Sequence, residues 1–260
     1  MLELLEILKS LELGKISAAR AKKMLSLYSI QKIEDIAKFD VGRRIRRGVP
    51  EVIFAQNKHL PDLKKIILGA LARSDCILAS RVSKENYDKM LSFAKKNKIK
   101  TRTGRNSTSI LFYKRLANTG GKVGVITAGT SDIGVAEEAR LTCEAMGAGC
   151  ITSYDVGIAG LHRIFPIIRK MIEEDVDVLI VVAGMEGALA SVVSALVDIP
   201  VVGVPSSVGY GYGAKGVAAL ASMLQSCTLG LSVVNIDNGI GAGAFAASIA
   251  NRIAAKKSMP

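Results

Sequence analysis

The sequence predicts an α/β protein. It has a C-terminal five-stranded parallel sheet of the flavodoxin-like kind and a smaller, basic N-terminal α/β domain. Three observations predict it. From residue 119 onward, short apolar runs alternate strictly with helical stretches. Those runs are apolar on both faces, which suits strands covered on both sides of a parallel sheet. Charge divides the chain at the same place: residues 1–122 hold 27 Lys and Arg against 11 Asp and Glu, and residues 123–260 hold 8 against 12. The expected domains are 1–118 and 119–260.

In the first domain, "LELLEILKSLEL" and "SAARAKKMLSLY" repeat apolar residues at helical spacing. Gly14 separates them, and Ser17 is a suitable N-cap for the second. "EVIFA" (Glu51–Ala55) and "CILAS" (Cys76–Ser80) read as short buried strands, with "DLKKIILGALAR" as the helix between them. "KENYDKMLSFAKKN" gives a further helix. "RRIRRG", Arg43 to Gly48, is the densest basic cluster; its guanidiniums suit phosphates, and a solvated turn explains it equally well.

In the second domain, strands are expected at Val123–Ala128, Cys150–Asp155, Val178–Ala183, Val201–Val204 and Ser232–Ile236. Helices are expected near 132–146, 161–174, 186–197 and 214–226, and "AGAFAASIANRIAAKK" closes the chain. Right-handed connections and five such strands suit the order 2-1-3-4-5. The ligand crevice of that order lies beyond the carboxyl ends of the first and third strands.

Composition excludes several classes. At 49% hydrophobic and 22% charged residues, a packed core is expected and disorder is not. No apolar run reaches the ~18 residues of a membrane span, and the acidic, leucine-rich N-terminus is no signal peptide, so a soluble cytoplasmic protein is expected with no membrane partner. Cys76, Cys143, Cys150 and Cys227 form no C-x-x-C pair. With only His59 and His162 as imidazoles, a transition-metal cage is not expected. The net charge of +12 invites nucleic acid, but aromatic residues are 5% of the chain and tryptophan is absent, so no stacking platform is expected and nucleic acid is not a predicted partner.

Polar residues gather at the carboxyl ends of the strands. The first strand ends in Gly129-Thr130-Ser131-Asp132. The second ends in Asp155 and leads to His162 and Arg163; the third ends in "AGMEGAL", with Gly184, Met185 and Glu186. The fourth ends in "PSSVGYGYGAKG", with Ser206, Ser207 and Lys215, and the fifth in "NIDNGIGAG", with Asn235, Asp237 and Asn238. Glycine at every end would let backbone approach a ligand. Ser131 or Asp132 can cap the helix that follows, and that helix N-terminus suits a phosphate. Capping alone would account for one strand end and not for five. Neither G-x-G-x-x-G nor a Walker pattern is present. These residues by themselves point to a phosphate-bearing small molecule.

"GTSD", the His-Arg pair and "AGMEGAL" resemble the aminoimidazole ribonucleotide carboxylases and mutases. In that family the Ser-Asp pair holds a ribose phosphate, and the His-Arg loop lies beside the imidazole that receives carbon dioxide. The purine enzymes carry a histidine in the third strand's loop, where this chain has Glu186 and Ala188. "GVITAGTSDIGVAEEA", "DVGIAGLHR", "VVAGMEGALASVV", "PSSVGYGYGAKG" and "VVNIDNGIGAG" are more similar to the nickel-pincer cofactor biosynthesis enzymes, the pyridinium-3,5-biscarboxylic acid mononucleotide synthases. "GVPEVIFAQNK" and "ILASRVS" are similar to the N-terminal region of that family. Gly134 stands where a proline is expected in relatives, at a helix-propensity cost of ~1 kcal/mol.

The resemblance implies carboxylation of nicotinic acid adenine dinucleotide at ring carbon five, with carbon dioxide or bicarbonate as co-substrate, and hydrolysis of the phosphoanhydride to release AMP. It implies Cys227 as nucleophile; the residue-level alternative is an inert buried thiol near a helix end. Cys143, Cys150 and Cys76 read as core. Glu186 is the candidate base, the alternative being a favoured acid at a helix N-terminus. His162 would assist proton transfer, and Arg163 would hold a carboxylate. Thr130, Ser131, Asp132, Asp155, Gly184, Met185, Ser206, Ser207, Asn235 and Asp237 are the expected substrate contacts. Asp132 and Asp155 are the candidates for Mg²⁺ at the anhydride step, and no organic cofactor is expected. Cys227 precedes the fifth strand and so falls toward its amino end, roughly 20 Å of strand from the crevice. A catalytic Cys227 would therefore act in a neighbouring subunit's site, and the resemblance implies a homo-oligomer, an octamer, with shared sites. The alternatives are a purine carboxylase or mutase and a nucleotide-sensing binding protein.

Overall fold

The computed structural model describes residues 2–26, 30–33, 37–40 and 42–257. In the N-terminal domain, α1 (Leu2–Glu12) and α2 (Ala18–Leu25) form a helical pair. Ser17 caps α2, its hydroxyl accepting from Arg20 N at 3.2 Å. Strands β1 (Ile30–Ile33) and β2 (Ala37–Asp40) pair antiparallel. The expected basic turn is instead a short helix, α3 (Arg43–Arg47). Then follow β3 (Val52–Phe54), α4 (Leu60–Arg73), β4 (Cys76–Ser80), α5 (Lys84–Lys96), β5 (Lys100–Thr103) and β6 (Ile110–Tyr113).

These last strands form a four-stranded sheet in the order β3-β4-β6-β5, with β6 antiparallel to both neighbours. Sequence reading did not anticipate β5 or β6. "KTRT" is a mostly exposed edge strand, where charged residues are common, so it lacks an apolar signature. "ILFY" is apolar but only four residues long. One face of this sheet buries Ile77, Ala79, Ile110 and Phe112 against Leu63, Ile67 and Ala70 of α4. The other face turns Cys76, Leu78 and Leu111 onto Leu141 and Ala145 of the next domain's first helix. The two domains thus share an apolar cluster.

The C-terminal domain runs β7 (Lys122–Thr127), α6 (Ile133–Met146), β8 (Gly149–Ser153), α7 (Ile164–Glu173), β9 (Val178–Ala183), α8 (Ala188–Leu196), β10 (Val201–Pro205), α9 (Val217–Leu224), β11 (Leu231–Val233) and α10 (Gly239–Lys257). Its five strands are parallel, in the order β11-β10-β9-β7-β8, which is the expected 2-1-3-4-5. Helices α6 and α10 cover one face, and α7, α8 and α9 the other. Strand β9 is buried throughout. Strand β11 ends earlier than expected, because Val234 and Asp237 leave the ladder to donate singly to Gly203 O and Pro205 O. The glycines opening α10 serve helix packing: a Cβ on Gly243 would stand 2.4 Å from Ala139 O of α6. Among the described residues, no helix is long and apolar enough to cross a membrane.

Candidate active site

The apolar strand β7 delivers its loop to the carboxyl edge of the sheet, where Thr130–Asp132 form a 3₁₀ turn ahead of α6. Asp132 turns inward and is 3% exposed. Its Oδ2 accepts from Gly129 N at 2.8 Å, and its Oδ1 accepts from the Ser206 hydroxyl at 2.6 Å. Ser206 is fully buried. Asp132 and Ser206 therefore brace the loop after β7 against the loop after β10. Both spend side-chain hydrogen bonds within the protein, and no side chain caps α6. Burial raises the Asp132 carboxyl above the ordinary carboxylate range, against the stabilising bonds from Ser206 and Gly129. Thr130 and Ser131 are exposed.

Asp155 follows β8 at φ 61°, its N–H donating to Thr127 Oγ1 at 3.1 Å. Arg163 lies 3.7 Å from its carboxylate, both side chains about half exposed. Such a pair contributes at most about 1 kcal/mol. Asp132 and Asp155 do not fit a shared hydrated Mg²⁺, because the acceptor oxygens of Asp132 are turned inward and engaged. Among the described residues, no group of three or more His, Cys, Asp or Glu could hold a metal ion.

Beyond β9, Gly184 and Met185 pass under the loop after β10; a Cβ on Gly184 would stand 2.2 Å from Val208 O. Here glycine accommodates a neighbouring backbone. Met185 adopts φ 52° and projects outward with Glu186, which makes no ion pair among the described residues.

A cavity of about 380 Å³ opens between these loops. It is lined by Gly129–Asp132, Asp155, Gly157–Ala159 and Gly184–Glu186, with Val208 at its rim. His162 and Arg163, in an exposed 3₁₀ turn, stand outside this lining, and Ser207, in the loop after β10, is also outside it. Asn235 accepts from the adjacent Ile236 N–H and is also outside it. Asp237 accepts from Ser207 N at 2.8 Å and so joins the loops after β10 and β11. The four ends after β7, β8, β9 and β10 thus converge, and the fifth acts through Asp237.

A second cavity, of about 300 Å³, adjoins the first, with Ser131 and Val208 in both linings. The N-terminal domain supplies Arg81 and Asn106–Ser109 to it. Sequence reading assigned these residues no role. Their signal was slight: "ILASRVS" looked familiar, but nothing in it showed that Arg81 reaches the other domain.

Cys227 is exposed, in the connection from α9 to β11. The flanking Ser226 hydroxyl contacts those of Ser191 at 2.8 Å and Thr228 at 2.7 Å, which holds the connection alongside α8. Cys227 lines neither cavity. The other cysteines differ: Cys76 and Cys143 are buried and Cys150 is partly so. The basic run of α3 is mostly spent on structure. Arg46 pairs with Asp40 and donates to Ser26 O, Arg43 faces Glu51 at 3.6 Å, and Arg44 approaches the Cys76 sulfur.

A family model described as AIR carboxylase matches residues 122–259, and one described as a LarB/PurE-like N-terminal domain matches residues 30–107. Over 250 residues the chain is 43% identical to an uncharacterized protein of Methanocaldococcus jannaschii, covering 94% of this chain and 96% of that one. Over 133 residues it is 29% identical to the N5-carboxyaminoimidazole ribonucleotide mutase of Thermotoga maritima, covering 49% of this chain and 74% of that enzyme.

Proposed function

Since this chain belongs to the AIR carboxylase family, we propose that it carboxylates the pyridinium ring of nicotinic acid adenine dinucleotide at carbon five. It also hydrolyses the phosphoanhydride, giving pyridinium-3,5-biscarboxylic acid mononucleotide and AMP for nickel-pincer nucleotide biosynthesis. One observation carries the reading over a purine reaction. The crevice presents a carboxylate, Glu186, that is unpaired among the described residues, while the chain's histidine in that region, His162, lies outside its lining.

Carbon dioxide is an electrophile, and a pyridinium ring is too electron-poor to attack it. Addition of a thiolate to ring carbon four leaves an enamine, nucleophilic at carbon five. That carbon forms the new C–C bond to carbon dioxide, Glu186 takes the carbon-five proton, and the C–S electron pair leaves with the thiolate as aromaticity returns. The exposed N–H groups and hydroxyls of the Thr130–Ser131 turn suit the ribose phosphate. Water then divides the anhydride.

Cys227 is the thiol this scheme requires, and it would come from a partner subunit, because it lines neither of the two cavities at the carboxyl edge of its own sheet. The surface around it supports subunit burial: Leu224 is 67% exposed and Leu229 92%. The active form is then a closed homo-oligomer, an octamer by family analogy.

The test is incubation of the protein with the dinucleotide and carbon dioxide, followed by intact-protein mass spectrometry and analysis of released nucleotides. An adduct on Cys227, with AMP and the dicarboxylated mononucleotide in solution, is the expected result. Turnover of N5-carboxyaminoimidazole ribonucleotide with no reaction of the dinucleotide would overturn the reading in favour of a purine mutase.

A further inference from the structure

We propose that the cavity between the two domains is a second nucleotide subsite, built to take a purine ribonucleoside monophosphate unit, with Arg81 as its phosphate contact and Glu138 as an acceptor for ribose hydroxyls. The inference rests on the dinucleotide reading above, whose adenylate half would occupy this cavity.

The two cavities share Ser131 and Val208 in their walls. Each alone is at the small end of ligand pockets, and together they reach the middle of that range. A ligand with two nucleotide units joined near Ser131 would fill both.

The second cavity has one cationic and one anionic wall. Arg81 leaves the end of β4 at φ 52°, a conformation few L-residues adopt without a compensating contact. Its guanidinium is held over the Phe54 ring at 5.5 Å and donates to Asp237 O at 3.1 Å. With one N–H spent on that carbonyl, the rest of the planar fork remains for phosphate oxygens. Glu138, on α6, forms part of the opposite wall and is 6% exposed. Its Oε1 accepts from the Ser80 hydroxyl at 2.5 Å and the Ser109 hydroxyl at 3.1 Å. Its Oε2 has no hydrogen bond among the described residues, although the side chain is buried. Unlike a sealed oxygen, it stays accessible at the cavity wall, where a sugar hydroxyl can donate to it. Inorganic phosphate alone would meet repulsion from Glu138 and Asp237. A ribonucleotide, anionic at one end and rich in hydroxyl donors at the other, matches both walls. Ser107 and Thr108 close the side from the N-terminal domain.

Calorimetric titration of the full-length protein with AMP, and separately with nicotinic acid mononucleotide, tests this. The wild type should bind both, neither displacing the other. Arg81→Ala should weaken AMP binding at least tenfold and raise KM for the dinucleotide by a similar factor, with mononucleotide affinity unchanged. Because Arg81 also holds Asp237, a second variant is needed: Thr108→Phe, which fills the cavity, should abolish AMP binding while leaving the mononucleotide bound. Displacement of one nucleotide by the other in the wild type, or unchanged AMP affinity in both variants, overturns the subsite. Lack of dinucleotide turnover by the wild type overturns the activity instead, since the AMP titration requires no turnover.

Discussion

Gly134 shows how a single residue can be misjudged from propensity. On an isolated helix, replacing glycine by alanine stabilises by ~1 kcal/mol. Here a Cβ would stand 2.5 Å from the backbone carbonyl oxygen of Asn106, across the domain boundary. Backbone cannot yield cheaply, and overpacking of this kind costs about 1–3 kcal/mol. The clash wins, so Gly134→Ala should lower Tm; a raised Tm would show that the loop at Asn106 gives way. Asp132 supplies a pH prediction. Burial keeps its carboxyl protonated to higher pH in the folded state than in the unfolded chain. Its favourable contribution is thus present below the ordinary value of ~3.9 and lost as pH rises through the folded value. Asp132→Asn keeps one acceptor and carries no charge, so its Tm should fall less steeply than the wild type's as pH rises from the ordinary value through the raised folded value. Parallel curves for the two proteins would refute the assignment.

At the scale of elements, α6 is the hinge of the structure's electrostatics. Arg140 binds Glu137 at 2.6 Å and Glu144 at 2.5 Å, and donates to Thr103 O of β5 at 2.9 Å. Tyr154 donates to Glu137, and Arg102 of β5 reaches Glu144 at 2.9 Å. Burial opposes the Arg140 charge, yet Glu137 and Glu144 together raise its pKa above the free guanidinium's. Burial, with Glu137 as hydrogen-bond partner, pushes the Tyr154 phenol up to about 12. Removing one member of a buried network strands the others, at about 3–5 kcal/mol. An exposed partner contributes under about 1 kcal/mol. Denaturant unfolding should therefore find Arg140→Ala far more damaging than Arg102→Ala, whose side chain is 48% exposed. Equal losses would mean that the network is screened like a surface pair. The same helix carries Glu138 to the inter-domain cavity, so α6 both joins the domains and lines the second subsite.

At the scale of the whole molecule, the proposed role of Cys227, which lies outside the crevice lining, predicts that assembly is part of catalysis. Cys227→Ser should abolish the carboxylated product, and Glu186→Gln should do the same from the other half of a shared site. Neither substitution disturbs a buried contact. Mixed and reassembled, the two inactive proteins should recover part of the activity, because some sites would pair an intact Cys227 with an intact Glu186. No recovery despite subunit exchange shown by native mass spectrometry would place both residues in one chain's site. Full activity of Cys227→Ser alone would remove the thiol from the mechanism.

The alternation of apolar runs and helical stretches was sufficient to determine the parallel sheet and its strand order, because strands buried on both faces and right-handed crossovers leave few arrangements. Local chemistry likewise placed Glu186, Thr130 and Ser131 at the carboxyl edge, and it showed Ser17 as a cap. Only the tertiary structure decided which polar side chains face a ligand and which face each other. Asp132 and Ser206 lie 74 positions apart, and no local pattern reports that their side chains meet at 2.6 Å. The glycines near Gly184 and Gly243 looked like room for a ligand, and they are room for neighbouring backbone. Strands β5 and β6 were hidden because four residues are too few to display a period. Arg81 was hidden because its partner, Asp237, is 156 residues away. Sequence period reports burial along one element, whereas a site is made where several elements end together, and that meeting exists only in the folded chain.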